Sequence, residues 1–177
     1  MIMLTIILTA LPVILIIALF TRKGIQTSAT IDIERPRQQV FDYLIKLKNQ
    51  EQYNAWLLVD PKMLKTYTGN DGEVGFIQAW DSKNNKDGKA SQRILGIAAP
   101  DQIKIEIIFE KPIASKAIYH FELTPLNETR THVKWVYEGN PSPYYLLRVF
   151  HLLLRLKKRA TRYMESSLVN LKNIMEH

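Results

Sequence analysis

The 177-residue chain contains no cysteine, and this absence removes several kinds of chemistry at once. Disulfide bonds, a thiolate nucleophile and cysteine-based zinc sites are all excluded. Histidine is scarce, with four residues, and their spacing matches no metal-ligand motif. The chain also lacks a phosphate-binding glycine loop, a dinucleotide glycine fingerprint and a Gly-x-Ser-x-Gly nucleophile motif. We therefore predict no catalytic residue, no metal site and no cofactor from the sequence.

Charge is absent from the first 21 residues, and Arg22 and Lys23 follow this run directly. A helix that crosses the hydrocarbon core of a bilayer needs about 20 apolar residues. Apolar side chains surround the whole circumference of this segment, which favours contact with lipid over a one-sided core. We therefore predict a transmembrane anchor over residues 1–21, a juxtamembrane linker over 22–26 and a folded domain over 27–177. The basic pair behind the run favours a cytoplasmic location for that domain.

Two alternatives for the apolar N-terminal run stay open. A cleaved signal peptide would carry basic residues before its apolar stretch and small residues at a cleavage site. Here the basic residues follow the run, and the nearest small residues, Thr27-Ser28-Ala29, lie beyond them. A buried core helix is the second alternative, and the apolar side chains on every face of the helix argue against it.

Basic residues are concentrated at the C-terminal end of the chain. Residues 142–177 carry +5 of the formal net charge of +7. A nucleic-acid-binding domain usually spreads its basic surface across the fold, so we predict no nucleic-acid partner. Four arginines fall within about 60° of one another around the helix predicted here: Arg148, Arg155, Arg159 and Arg162. Beside an unusually apolar stretch, they are candidates for contact with anionic lipid headgroups. The alternative is a core helix with a solvated basic edge.

Residue periodicity predicts the order of the structural elements. The alternating segment 27–34 predicts a strand, and Pro36 begins a helix whose apolar residues recur at helical spacing. A second short helix is expected over residues 49–58. Period-two patterns between residues 62 and 139 predict about six antiparallel strands, and residues 142–175 predict a long helix. This final helix is the element available to cover the apolar face of the sheet.

Several segments resemble the SRPBCC superfamily of START-like or polyketide-cyclase-like domains. They are the opening IDIERPRQQVFDYL (31–44), Tyr53-Asn54-Ala55-Trp56, Asp60-Pro61-Lys62-Met63, the stretch 72–80, and Thr131-His132-Val133-Lys134-Trp135. The resemblance covers roughly residues 27–177 and implies an α+β helix-grip fold, in which an antiparallel sheet wraps around a long C-terminal helix. Members include lipid carriers, hormone receptors, aromatic cyclases and chaperone activators, and some bacterial members carry an N-terminal apolar anchor. The resemblance implies a fold, and no catalytic residue carries over from it.

Large side chains on the predicted inner face of the sheet are candidates for the wall of a ligand cavity. Aromatic rings on a concave face can enclose a flat or acyl ligand, although the alternative is that they simply fill the core. A buried glutamine needs hydrogen-bond partners, so Gln78 and Gln92 either orient a ligand or bond to the backbone. The complete candidate set is Trp56, Tyr67, Phe76, Gln78, Trp80, Gln92, Phe109, Tyr119, Phe121, Trp135 and Tyr137.

Together these features predict a membrane-anchored domain that binds a hydrophobic small molecule or a lipid in an internal cavity. The first alternative is a cyclase- or hydratase-type enzyme that acts on a cavity-bound intermediate. It needs an inward acid or base with a perturbed pKa, and the sequence shows no evident inward carboxylate or histidine. The second alternative is a protein-interaction module in a membrane complex, with a filled core and no ligand.

Overall fold

The structure is a computed structural model that describes residues 25–83, 88–112, 114–139 and 156–177. Within these ranges the elements follow the predicted order of one strand, two short helices, six strands and a long helix. The strands are β1 (Ile25–Ile33), β2 (Leu64–Thr68), β3 (Ile77–Asp81), β4 (Lys89–Ala98), β5 (Gln102–Lys111), β6 (Ser115–Asn127) and β7 (Arg130–Gly139). The helices are α1 (Arg37–Leu44), α2 (Gln50–Tyr53) and α3 (Leu156–Glu176), and a 3-10 turn at Leu47–Asn49 precedes α2.

The strands form one antiparallel sheet in the order β1-β7-β6-β5-β4-β3-β2. Each strand from β2 to β7 pairs with its neighbour in sequence, and β1 pairs with β7. Helix α3 runs alongside β1 in the same direction. The hydroxyl oxygens of Thr27 and Thr161 are 2.6 Å apart near one end of this contact, and Lys172 Nζ donates to the Asp32 carbonyl at 2.6 Å near the other. A sheet that packs on a long C-terminal helix in this way confirms the predicted helix-grip fold.

Alternation along the strands places one set of side chains in the core. In β6 the inward residues Ala117, Tyr119, Phe121 and Leu123 are buried, while those between them are partly exposed. Helix α3 supplies the opposing surface with one stripe of side chains at helical spacing. The buried members of that stripe are Ala160, Met164, Ser167, Leu168 and Leu171.

Two predicted boundaries are wrong for identifiable physical reasons. The second helix was expected over residues 49–58, but it ends at Tyr53 because Asn54 takes an extended backbone with ψ of 110°. The Asn54 side chain then accepts from the Trp56 N–H at 3.0 Å, in place of a further helical hydrogen bond. Val74 lies within the period-two segment 62–139, in which strands were expected, but β3 begins only at Ile77. Gly75 has φ of +93°, which breaks the extended geometry before that point.

Part of the sequence prediction falls outside the described residues. This applies to the anchor over residues 1–21, to most of the linker, and to Arg148 and Arg155. Strand β1 begins at Ile25, so it includes the last two residues of the predicted linker. In the described ranges, no helix is both long enough and apolar enough to cross a bilayer.

The sheet has two ends, which we call proximal and distal. The proximal end carries Ile25, the first residue of β1, and Gly139, the last residue of β7; the distal end carries Ile33 and Thr131, which are paired in the same ladder. Antiparallel pairing places the first residues of β2, β4 and β6 at the proximal end as well. All four gaps between or before the described ranges therefore adjoin the proximal end.

Candidate functional site

A network of polar side chains lies in the interior, between α2 and the inner face of the sheet. Its centre is Gln92 on β4, whose Nε2 donates to Gln78 Oε1 at 2.6 Å and to Gln50 Oε1 at 3.3 Å. The Tyr119 hydroxyl donates to Gln92 Oε1 and accepts from Gln50 Nε2 at 2.9 Å. All four side chains are at most 3% exposed. We call Gln50, Gln78, Gln92 and Tyr119 the glutamine network.

The register of the sheet explains why these groups meet. Gln78 and Gln92 are direct partners in the β3–β4 ladder and both face inward. Buried amides without partners are strongly unfavourable, so two amides on opposed positions favour each other. The sequence analysis offered ligand or backbone as their partners. The structure instead pairs them with each other and with side chains from α2 and β6.

The glutamine network reaches the surface through Glu51. Gln78 Nε2 donates to Glu51 Oε1 at 2.9 Å, and the carboxylate also accepts from Lys65 Nζ at 2.9 Å and from the Tyr67 hydroxyl. Partial burial by itself raises the pKa of Glu51, but these hydrogen bonds and the charge of Lys65 outweigh it and hold the pKa below its ordinary value. Burial, together with the hydrogen bond to Glu51, raises the pKa of Tyr67 to about 12. Glu51 is therefore ionised at neutral pH while Tyr67 keeps its proton.

The sequence analysis missed Gln50, Glu51 and Asn54. Asn54 Nδ2 donates to Gln50 Oε1 at 2.9 Å, so it fixes the position of the Gln50 amide within the network. Residues 50, 53 and 54 have the spacing of one helical face, and that face is buried. This spacing was the available signal. It was not recognised because a polar face on a short helix is usually solvated.

The predicted cavity residues occupy three environments. Seven of them are at most 7% exposed: the five rings of Phe76, Trp80, Tyr119, Phe121 and Trp135, and the network glutamines Gln78 and Gln92. Phe109 and Tyr137 face inward near the proximal end and are half-buried. Tyr67, on the edge strand β2, is exposed and stacks on Phe76 with ring centroids 6.5 Å apart.

Three of the buried rings pack directly on one another. The ring centroids of Phe121 and Trp135 are 4.9 Å apart, and the Tyr119 ring lies 5.6 Å from Trp135. Burial raises the pKa of Tyr119 and also that of Tyr137, the latter to about 12. These phenols are protonated donors at neutral pH, so none of them serves as a general base there.

Three buried side-chain polar atoms have no hydrogen-bond partner within the described part of the chain, and one of them, Arg130 Nε, is ion-paired with Glu34 at 2.8 Å. The other two are the Tyr53 hydroxyl and Trp135 Nε1. Both groups carry a proton that they can donate. Burial raises the pKa of Tyr53 well above its ordinary value, and the neighbouring Tyr119 and Tyr43 add to the shift. The interior therefore contains two donors whose hydrogen-bonding capacity the described residues leave unused.

Trp56 lies apart from the other candidates. Its indole stacks on Tyr163 of α3, with ring centroids 4.8 Å apart and an interplanar angle of 18°. The guanidinium of Arg159 lies 5.6 Å from the centroid of the same Tyr163 ring. Arg159 and Arg162 are both exposed. Of the four arginines predicted to contact lipid headgroups, the two described ones therefore lie on the solvent face of α3, and one of them contacts an aromatic ring.

Two open depressions on the surface are lined by described residues. One, of about 450 Å³, lies beside Arg37, Asp101 and Glu122, and the other, of about 410 Å³, lies beside Ser28 and Lys134. Neither is lined by a residue of the predicted cavity set. The internal cavity therefore stays a prediction. The described residues also contain no group of three or more His, Asp or Glu side chains placed to hold a metal ion.

Solved structures share this fold at low sequence identity. Norcoclaurine synthase from Thalictrum flavum is 13% identical, with a TM-score of 0.61 over 89% of this chain and 98% of that chain. A START superfamily protein from Mycobacterium smegmatis is 15% identical, with a TM-score of 0.56 over 85% and 97%. A conserved protein from Geobacillus kaustophilus is 15% identical, with a TM-score of 0.62 over 85% and 94%.

No protein-family model matches the chain, and no curated protein is similar to it in sequence. Identities of this size carry information on the fold alone, because one fold supports many functions. The likeness to these structures supports a helix-grip arrangement of the seven-stranded antiparallel sheet and its C-terminal helix. The chain therefore has a helix-grip fold, which it shares with a START superfamily protein.

Proposed function

We propose that this protein is a membrane-anchored domain that binds a hydrophobic small molecule or a lipid inside the helix-grip fold. The observation that carries the proposal is that two buried donors, Trp135 Nε1 and the Tyr53 hydroxyl, have no acceptor among the described residues. A buried donor without an acceptor costs about 1–3 kcal/mol. A ligand that is largely apolar, with a carbonyl, carboxylate or ether oxygen, would supply the acceptor and remove that cost.

The proximal half of the inner face supports the same proposal. Two of its inward aromatic residues, Phe109 and Tyr137, are only half-buried, although they lie on the core side of their strands; Trp80, across Ala90 from Phe109, is buried. Small inward residues stand among the rings, with Ala90 directly opposite Phe109 and Ala117 directly opposite Ile107 in the ladders. Large rings beside small residues on a concave face provide the shape of an apolar pocket.

The anchor is supported by the sequence of the N-terminal segment. Residues 1–21 carry no charge and are long enough to cross a bilayer core, which needs about 20 residues. Arg22 and Lys23 follow at once and favour a cytoplasmic side for the domain. The domain begins at Ile25, so an anchor would hold it within a few residues of the membrane surface.

An enzyme of the cyclase or hydratase type is the second candidate, and the fold of norcoclaurine synthase favours it. Such a reaction needs an acid or base that is free to exchange a proton with the substrate. The carboxylate that contacts the interior, Glu51, already accepts from Lys65, Tyr67 and Gln78. A binding protein that catalyses no reaction therefore explains the hydrogen bonds of Glu51 more simply than an enzyme does.

Native mass spectrometry of the full chain, purified in detergent, tests the binding proposal. The expected result is an added mass from a retained apolar molecule, lost on denaturation. Trp135→Phe keeps an aromatic six-membered ring but removes the pyrrole part of the indole with its Nε1 donor, so it should lower occupancy about tenfold, the effect of about 1.4 kcal/mol. Trp56→Phe is the matched control, because that indole stacks on Tyr163 outside this cluster. Absence of any bound molecule, together with no uptake of added fatty acid or phospholipid, would overturn the proposal in favour of an interaction module.

A further inference from the structure

The loop between α2 and β2, together with Leu64 as the first residue of β2, presents apolar side chains to solvent. Leu58 is 44% exposed, Val59 is 48% exposed and Leu64 is 68% exposed. Leu57 and Met63 belong to the same loop and are buried, so they fasten it to the core. Single exposed leucines are ordinary on protein surfaces, but three large apolar side chains within seven consecutive residues form a local patch. We call Leu58, Val59 and Leu64 the apolar loop.

Hydrogen bonds hold this loop in a defined shape. The Asp60 carbonyl accepts from the Met63 N–H at 3.2 Å, and Asp60 Oδ1 accepts from the Lys62 N–H at 2.9 Å. Ser82 Oγ donates to Asp60 Oδ2 at 2.5 Å, which ties the turn to the residue that follows β3. The apolar side chains therefore lie on the two arms of one ordered turn. Little conformational entropy is lost when such a preformed surface binds.

The apolar loop lies at the proximal end of the sheet. Leu64 is the first residue of β2 and pairs with Asp81, the last residue of β3. The chain enters β1 at Ile25 at this same end, after a segment whose first 21 residues carry no charge. A bilayer that held that segment would lie across the proximal ends of the strands.

Four exposed lysines lie at the same end, which also carries the carboxylates of Asp81, Glu110 and Glu138. Lys62 lies within the turn, Lys111 ends β5, and Lys157 and Lys158 begin the described part of α3 beside the start of β1. All four are exposed. Each basic residue near an anionic leaflet contributes about 1 kcal/mol of attraction, and salt screens this term. Apolar side chains framed by lysines have the composition of a membrane-surface contact.

We propose that Leu58, Val59 and Leu64 enter the interfacial region of an anionic bilayer, so that the proximal end of the sheet faces the membrane. The inference rests on the proposed anchor, which would raise the effective concentration of lipid around the loop. It adds a contact surface and an orientation that the anchor alone does not specify. The half-buried Phe109 and Tyr137 would then lie toward the bilayer rather than toward bulk solvent.

The absence of cysteine makes a site-specific test straightforward. Leu58→Cys carries an environment-sensitive fluorophore in the apolar loop, and Leu126→Cys is its matched control. Leu126 is also an exposed leucine, at 48%, but it lies at the distal end of β6. The full chain is reconstituted into vesicles of phosphatidylcholine with phosphatidylserine, and quenching by lipids that carry a shallow nitroxide is measured. We expect at least threefold stronger quenching at position 58, reduced when phosphatidylserine is left out or salt is raised.

Equal quenching at positions 58 and 126 overturns the docking proposal. In that case, protection of position 58 from an aqueous quencher in detergent would assign the apolar loop to a second copy of the chain. The anchor is measured separately by a carbonate wash of the unlabelled full chain. If the wash removes the protein but position 58 is still quenched, loop docking is supported and the anchor is rejected. If the protein resists the wash but positions 58 and 126 are quenched equally, docking is rejected and the anchor remains.

Discussion

The two halves of the inner face of the sheet share one alternating pattern and differ in how they are filled. The distal half is a closed core of side chains that have no exposed surface: Ile33, Leu44, Ile103, Phe121, Val133 and Leu171. In the proximal half the inward rings of Phe109 and Tyr137 are half-buried. The glutamine network lies on the same inner face, under α2, and connects to the surface through Glu51.

This difference shows what a period-two pattern specifies. Alternation determines which side chains point inward, but the element packed above them determines whether they become core. At the distal end, α3 brings Leu168 and Leu171 onto the sheet, and α1 adds Leu44. An inward aromatic residue there fills space. Two inward aromatic residues at the proximal end, Phe109 and Tyr137, keep accessible surface, which is what a pocket wall requires, whereas Trp80 at the same end is buried.

The largest expected effect is a difference between the two halves in the stability that is lost when an inward ring is removed. Phe121→Ala should lower the free energy of unfolding by about 3–5 kcal/mol, because it leaves a cavity in a closed core. Phe109→Ala removes the same ring from the proximal half and should cost less than half as much. Urea unfolding of the full chain in detergent, followed by tryptophan fluorescence, measures both. Equal losses would show that the two halves are packed alike and would remove the distinction drawn here.

The glutamine network gives the next largest effect. Gln92→Leu keeps a similar volume but deprives Gln78, Gln50 and Tyr119 of a partner, and each unsatisfied buried group costs about 1–3 kcal/mol. We expect a total loss of about 2–4 kcal/mol in the free energy of unfolding. Gln39→Leu, on the exposed face of α1, is the matched control and should change it by less than about 0.5 kcal/mol.

A double-mutant cycle sharpens this result. Tyr119→Phe removes the hydroxyl that bridges Gln92 and Gln50, so its effect should overlap with that of Gln92→Leu. Groups within one hydrogen-bonded network show coupling energies of about 0.5–3 kcal/mol. Strictly additive losses would indicate that the network is a set of independent contacts.

Much of the distal half could be predicted from the sequence. Strand alternation correctly placed Tyr119 and Phe121 on one buried face, and the resemblance to START-like domains supplied the sheet and helix arrangement. These features depend on local periodicity and on the order of the elements along the chain. They do not depend on which particular side chains meet across the sheet.

The polar part of the site could not be predicted in the same way. Gln50 meets Gln92 across 42 positions of sequence and Tyr119 across 69, so no local pattern relates them. Glu51 was missed as an inward carboxylate because α2 is a four-residue helix whose ends depend on tertiary contacts. The membrane anchor stays a prediction because residues 1–21 lie outside the described ranges, and the ligand stays a proposal that rests on the two buried donors.

The smallest expected effect concerns the surface end of the glutamine network and its dependence on pH. Glu51 is the point at which the interior network meets solvent, and its side chain is 25% exposed. Hydrogen bonds from Tyr67, Lys65 and Gln78 hold its pKa in the folded state below the ordinary value of 4.5. A carboxyl group with a lowered folded pKa adds stability that is present above the unfolded pKa and is lost as pH falls toward the folded pKa.

Glu51→Gln should therefore lower the free energy of unfolding by about 0.5–1 kcal/mol at pH 7, a small amount because solvent screens a partly exposed pair. The difference between wild type and variant should shrink as pH falls below 4.5, the ordinary value for this group, because the wild-type carboxylate becomes protonated. Glu128→Gln, in the exposed turn between β6 and β7, is the matched control and should show little difference at any pH. Urea unfolding of all three chains at pH 7, 5 and 3.5 measures the effect. A difference that stays constant over this range would mean that the ionisation of Glu51 does not support the network, and that its hydrogen bonds act through geometry alone.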